Sequence, residues 1–349
     1  MIVKDEAKIL TRLALTVRDH IDYWTVVDTG STDNTRDMVE RLFGQMPGQL
    51  LEHAFDGYGP SRTYALRAAE PHTDWMLVLD ADDTFHGEID LGTTADCIEA
   101  EMRQGGMRFW LPKLLRSNRG WESRGRTHEY YVSPISSPPV RTTSFYVQHH
   151  GDGTGRAEKF DRDIKLLTQD WDEEPNGRTA FYLARSYDDM GHQPDAIDWY
   201  RTRINLGGWE EETFYAHYRL GVNLLSLGAK QEGVGHLWSA WGLRSHRCEP
   251  LVALAEHYRQ SQQWVLAWTA ASLAQDFYQA NEPGLFVDIA MEWRIPYEVS
   301  IAAWYVGHPE KGKKALHKLL GRDDIPEPFQ SSVQANKEFY FGEKTHSSD

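Results

Sequence analysis

Asp80-Ala81-Asp82-Asp83 follows directly on the apolar run Trp75-Met76-Leu77-Val78-Leu79, and this junction is the part of the chain best equipped for chemistry. Five apolar residues in succession predict a buried strand, so the aspartates fall where that strand leaves its sheet. Side chains alternate along an extended backbone, which sends Asp80 and Asp82 the same way. Two such carboxylates can hold a hard divalent cation, leaving its other positions to phosphate oxygens and water. An acidic strand-to-loop turn would carry the same residues with no ligand. The elements upstream decide between the two.

Those elements alternate. Glu6 to Arg18 places Ile9, Leu10, Leu13, Ala14 and Val17 on one helical face. Tyr23 to Val27 reads as a second buried strand, running into the small, polar turn Asp28-Thr29-Gly30-Ser31-Thr32-Asp33-Asn34-Thr35. Asn34 is the expected N-cap of the next helix, with Asp37 in its first turn. A weaker strand near Leu50 to His53 precedes the loop Asp56-Gly57-Tyr58-Gly59-Pro60, and Ser61 to Ala69 reads as a helix. Strands alternating with helices imply a mostly parallel α/β sheet that binds ligands beyond its strands' carboxyl ends. Asp28 and Asp80 both fall at such ends. Arg62, on the helix after the glycine loop, could clamp a phosphate through its forked donors, or be an ordinary solvated arginine.

Met1-Ile2-Val3-Lys4-Asp5-Glu6, Val27-Asp28-Thr29-Gly30-Ser31-Thr32-Asp33-Asn34-Thr35, the Arg62 helix and Leu79-Asp80-Ala81-Asp82-Asp83 occur in an order and spacing that resembles family 2 glycosyltransferases. The resemblance covers roughly the first 165 residues. It implies a GT-A fold, a Rossmann-like mixed sheet, acting on a nucleotide-sugar donor. By that resemblance Val3, Lys4, Glu6 and Asp28 lie near the nucleoside, Arg62, Asp80 and Ala81 near the diphosphate, and Asp80 and Asp82 hold the metal. In relatives a few residues precede Met-Ile-Val to complete the first strand, so an upstream native start is one expectation and a shortened nucleoside pocket the other.

The resemblance extends to Gly125-Arg126-Thr127-His128-Glu129, similar to the active-site segment of these enzymes, with Glu129 as general base and His128 beside it. The bare residues read equally as a strand in which neighbours face opposite ways, so that one of the two reaches the donor. Asp83 is expected behind the metal site or on the acceptor side rather than on the ion. In Gln148-His149-His150-Gly151-Asp152-Gly153, a histidine after a strand completes the metal site in related enzymes, and His150 is the residue taken for it. An imidazole ligand favours Mn2+ over Mg2+.

Beyond about Asp163 strand patterns vanish. Small residues recur at Ala184, Gly221 and Ala255, 37 and 34 residues apart, each within an aromatic-rich helical pattern. This resembles tetratricopeptide repeats, in which small residues permit close helix approach and aromatics fill the groove. The expected division is a GT-A catalytic domain over 1–162, an all-α tetratricopeptide-like domain over 163–342 and a flexible tail over 343–349.

The chain of 349 residues carries 37 basic and 52 acidic side chains, a net charge of −15 that disfavours broad binding to nucleic acid or anionic lipid. No apolar run approaches the ~18 residues that span a bilayer, and no leader pattern opens the sequence. Cys97 and Cys248 fall in different domains, which suggests a reducing cytoplasm. The expected activity is metal-dependent, inverting transfer of a hexose from a UDP-sugar (GDP being the other donor class). The acceptor would be a peptide or protein, a glycan, or a modified base in DNA, a peptide first because related peptide S-glycosyltransferases pair a similar domain with such helices. Self-association through the helices is a further expectation. The competing reading is a catalytically degenerate transferase whose repeats make it a binding scaffold.

Overall fold

A computed structural model describes residues 1–152, 159–280 and 284–341. Gly153 and the expected tail 343–349 lie outside the described residues. Two compact units are present, one within Met1–Ala196 and Pro283–Phe286, the other within Ile197–Glu282 and Val287–Asp349.

In the first unit β1 (Ile2–Val3), β2 (Trp24–Asp28) and β3 (Gly48–Glu52) form a parallel sheet in that order, with Val3 opposite Asp28 and Asp28 opposite Glu52. Between them run α1 (Leu10–Val17) and α2 (Thr35–Phe43). Helix α1 buries Leu10, Leu13, Ala14 and Val17, the face its periodicity predicts. It starts later than expected, because Asp5 takes a φ of +56° and its carboxylate accepts from the Thr32 and Asp33 amides. Asn34 holds the N-cap position of α2, but the side chain that satisfies its first turn is Asp33, which accepts from the Thr35 amide at 2.9 Å. Helix α3 spans Tyr58–Ala69 and absorbs Tyr58, Gly59 and Pro60 of the expected loop. Gly57, at φ +116°, turns the chain into it, and Pro60 is tolerated in a first turn whose amides need no helical partner.

A second sheet takes β4 (Trp75–Leu77), β5 (Asp83–Gly87), β6 (Cys97–Gln104), β7 (Met107–Arg116) and β10 (Val140–His149), while β8 (Glu122–Arg124) pairs with β9 (Tyr130–Val132). Here β4 and β6 pair antiparallel to β7, β5 antiparallel to β10, and β6 parallel to β10. The sheet is therefore mixed, and the mostly parallel arrangement holds only for β1 to β3. The cause is local: Gly105-Gly106 closes a tight β6–β7 hairpin, Gly105 at φ +55°, and such hairpins make antiparallel neighbours. Helices α4 (Lys159–Glu173) and α5 (Gly177–Asp189) also fall within this unit.

After α6 (Gln193–Leu206), the second unit is built from α7 (Glu210–Ser226), α8 (Lys230–Leu243), α9 (Glu249–Gln260), α10 (Trp264–Phe277), α11 (Met291–Tyr305), α12 (Pro309–Leu319) and α13 (Phe329–Phe341). Its core joins Leu237, Leu251, Leu254, Ala255, Ala270 and Val299, with Tyr218, Trp238, Trp241 and Trp268 packed on it half-buried. Arg247, 1% exposed, is held by Glu211 and Glu249, so its charge is buried only as part of a network. Gly221 allows the close helix approach that its spacing suggests. A Cβ added at Gly221 would lie 2.9 Å from the Gly233 carbonyl oxygen, and one at Gly233 would lie 2.9 Å from that of Gly221. The two glycines thus set the distance between α7 and α8.

Gly221→Val is expected to cost roughly 1–3 kcal/mol by overpacking this crossing. Gly235→Ala, on the same α8 with open space around the new methyl, should instead stabilise by about 0.5–1 kcal/mol. Paired urea melts check both, and a Gly221→Val protein as stable as the parent would refute the close-packing role.

Candidate active site

Strand β4 ends at Leu77, and the backbone continues outward to Asp80, whose amide donates to Asp83 Oδ2 at 3.0 Å. That bond folds the four residues into a compact turn and draws Asp83 inward. Asp83 is fully buried, and both of its oxygens are engaged. Oδ2 also meets Lys113 Nζ on β7 at 3.4 Å, and Oδ1 meets His149 Nδ1 at 2.9 Å. Asp83 is thus the most deeply buried carboxylate of the turn.

The histidine that reaches the aspartates is His149. It is the cross-strand partner of Asp83 in the β5–β10 ladder, and its Nδ1 lies 3.5 Å from Asp82 Oδ1. His150 turns the other way: its Nε2 meets Thr84 Oγ1 at 3.1 Å. Strand alternation explains the difference, since Phe145, Val147 and His149 share one face of β10 and the first two are buried in the core. Among the described residues, Asp82, Asp83 and His149 form a group whose ligand atoms all lie within 4.8 Å of one another.

The donor set fits a divalent cation. Burial and the negative charges of Asp80 and Asp83 push the Asp82 carboxyl above its ordinary range, only partly offset by His149. Burial alone would lower the His149 imidazole, but its bond to Asp83 and the charge of Asp82 outweigh that and raise it. An excess of negative charge around a half-buried imidazole is an environment that a cation relieves.

Asp80 faces a different partner. Its Oδ1 accepts from Arg62 Nη2 at 2.7 Å, while the side chain remains 37% exposed. Desolvation opposes the ionised form, but Arg62, Lys113 and His149 overcome it and hold the carboxyl well below the usual carboxylate range. Arg62 Nε in turn lies 3.9 Å from Glu129 Oε1, too far for a hydrogen bond, and that nitrogen is buried without one. Arg62 thus stands between the aspartate rim and Glu129. It reaches there because α3 runs against β8: a Cβ at Gly59 would meet the Ser123 and Gly125 carbonyls at 2.9 and 2.8 Å, and Thr63 Oγ1 accepts from the Ser123 amide.

Glu129 is a half-buried carboxyl raised by desolvation, with Arg62 pulling in the other direction. Tyr131, beside Arg62, is pushed up to about 12 by burial. His128 does not share the Glu129 environment. It adopts a φ of +52°, in a turn rather than a strand, and stacks on Tyr182 with ring centroids 4.1 Å apart.

On the expected nucleoside side, Asp28 is 3% exposed at the end of β2. Its Oδ1 accepts from the Gly30 and Ser31 amides at 2.7 Å each, and its Oδ2 is buried without a partner. Val3 is a buried strand residue whose carbonyl accepts from Thr29, Lys4 is exposed, and the Glu6 amide donates to Thr35 Oγ1. The two loops are therefore bonded to one another beside the unpartnered Asp28 oxygen. Ala81 is buried in the aspartate turn. A cavity of about 300 Å3 is lined by Val17, Trp24, Met76, Arg62 and Tyr131 among others, without Asp82.

Sequence reasoning missed Lys113, Tyr131 and the histidine that lies against the aspartates. Reading β10 by alternation from Phe145 would have found His149. Lys113 carries a signal too, a lone cation inside the apolar β7 run before Leu114-Leu115.

Comparison with known proteins agrees with this architecture. Residues 1–141 match the family model of glycosyl transferase family 2. A TPR repeat-containing protein of Synechococcus elongatus is 40% identical over 85 residues, which is 24% of this chain and 19% of that protein. The chain thus spans about a fifth of the length of the curated relative it matches. The crystal structure of MamA is 18% identical, covering 54% of this chain and 98% of that one at a TM-score of 0.39. That of YrrB, described as a TPR protein with an unusual peptide-binding site, is 14% identical over 51% of this chain and 85% of its own, also at 0.39. Residues 1–141, which hold a GT-A-like mixed sheet, thus match glycosyl transferase family 2, and tetratricopeptide-like helices follow them.

Proposed function

We propose that this chain is a metal-dependent, inverting glycosyltransferase that moves a hexose from a nucleoside-diphosphate sugar, with UDP and Mn2+ preferred, to a peptide or protein hydroxyl or thiol. The observation that carries the reading is the placement of Arg62 between Asp80 and Glu129, beside the Asp82–His149 rim. In the reaction the acceptor's proton passes to Glu129 as its heteroatom bonds to the anomeric carbon. The sugar–phosphate bond breaks, and its electron pair leaves with the diphosphate. Arg62 has the charge and the fork to hold that diphosphate once Asp80 shares it. Asp82 and His149 would hold a divalent cation, with Asp80 adjoining through its free oxygen, and such an ion supplies Lewis-acid stabilisation of the leaving group. The unpartnered Asp28 oxygen suits a donor hydrogen of the nucleoside. Glycans and modified DNA bases are the other acceptor classes, and helical pairs beside a transferase favour a peptide.

One observation favours the second reading, a degenerate transferase serving as a scaffold. Asp80 and Asp83 are already neutralised from within, by Arg62 and by Lys113 with His149. Release of UDP or GDP from the donor without an acceptor separates the two, since a scaffold releases none.

Asp82→Asn and His149→Ala should each weaken Mn2+-dependent donor binding at least about tenfold by calorimetry, the scale on which metal-site changes act. Glu129→Gln should leave that binding intact and lower turnover by about 10²–10⁴. Donor binding unaffected by metal and by both rim substitutions would defeat the proposal. Because burial raises Glu129, and a base works only when deprotonated, activity should fall with acidification at a pH above the ordinary carboxylate range. A pH–rate profile that shows no acid limb above the usual carboxylate values would remove Glu129 from that role.

A further inference from the structure

Two features of the segment before β9 are locally unfavourable, and they meet. His128 is a non-glycine residue in the left-handed region, at φ +52°. Arg178 places a cation in the first turn of α5, one residue after Gly177 and two after the N-cap Asn176, where the helix dipole disfavours positive charge. Such features persist when the surroundings over-determine them. Here Arg178 Nη2 donates to the His128 carbonyl at 3.0 Å, and the guanidinium lies 4.8 Å from the Tyr130 ring and 4.9 Å from the Tyr182 ring. The His128 ring stacks on the same Tyr182, and its Nε2 lies 4.0 Å from the buried Asp163.

Helix α4 grips the same segment from its start. Thr127 Oγ1 donates to Asp163 Oδ1 at 3.1 Å, the Arg126 amide donates to Asp170 Oδ2 at 3.2 Å, and the Arg126 guanidinium bonds both Asp170 and Glu173. Every residue from Arg126 to His128 is therefore tied to α4 or α5, and Glu129 follows them toward Arg62.

We propose that Arg178 is a positioning residue for Glu129: bonded to the His128 carbonyl and stacked on Tyr182, it holds the strained turn that aims the carboxylate at Arg62. The first helical pair after the sheet is then a working wall of the transferase site. As a positioning role it rests on the catalytic reading above, yet its geometry can be tested apart from catalysis.

Hydrogen exchange by mass spectrometry on the full chain reads the geometry. Arg178→Ala should speed exchange over residues 125–131 at least tenfold and leave the strand before Asp80 unchanged, with Arg178→Lys intermediate. Donor turnover then reads the consequence. Arg178→Ala should lower kcat at least tenfold with donor KM within twofold, and Arg178→Lys should recover part of the loss. Tyr182→Leu supplies a second variant should Arg178→Ala not fold, with the same expected direction. Exchange over 125–131 equal to the parent in both variants overturns the proposal, as does an unchanged kcat in a parent that Glu129→Gln inactivates. If the parent shows no metal-dependent donor binding, the catalytic reading fails, and the exchange result alone decides whether Arg178 holds the turn.

Discussion

A buried guanidinium must find negative charge, and Arg62 finds it on two sides. Asp80 bonds it directly and Glu129 approaches it without bonding. An arginine in this position cannot shed its proton, so its neighbours carry the cost of its burial. Asp80 is held ionised as a result, and Glu129 is left a raised carboxyl with an attractive but incomplete partner. Arg62 bonds Asp80 and holds it ionised, whereas at Glu129 its pull does not overcome the desolvation that raises that carboxyl, so the two differ in protonation behaviour, which is what a site needs if one is to handle phosphate chemistry and the other a proton.

The rest of the first unit can be understood as what brings Arg62 to that place. The β8–β9 pair supplies a backbone track, Gly59 lets α3 lie on it, and the β5–β10 ladder delivers His149 to Asp82. Lys113, on β7, pairs with the buried Asp83, and the Asp82 carboxyl beside it is raised by burial and by the charges of Asp80 and Asp83, with His149 partly offsetting them. The contacts of α4 and α5 close the opposite side. Helices outside the sheet thereby shape a segment whose chemistry the sequence assigns to the sheet.

Much of this was legible in the chain. The helix face of Leu10 to Val17, the strand before Asp80 and the burial of Ala184, Gly221 and Ala255 follow from periodicity and side-chain size. Long-range pairing was not. The alternation of strands and helices suggested a mostly parallel sheet, whereas the local β6–β7 hairpin and the antiparallel pairing of β5 with the distant β10 give the mixed sheet that the family resemblance implied. For the same reason two adjacent histidines looked equivalent until the ladder gave one to Asp83 and the other to Thr84. His128 and Glu129 read as strand neighbours because nothing local announces a left-handed histidine. Its support comes from Arg178, fifty residues on.

The central claim is that the aspartate rim receives a cation together with a nucleoside diphosphate. Anomalous diffraction from crystals grown with Mn2+ and UDP tests this most directly. The account predicts one manganese peak in contact with the Asp82 carboxylate and the His149 ring, with diphosphate oxygens completing its coordination and lying against Arg62. A diphosphate bound with no metal at that rim, or manganese bound only elsewhere on the chain, would contradict it.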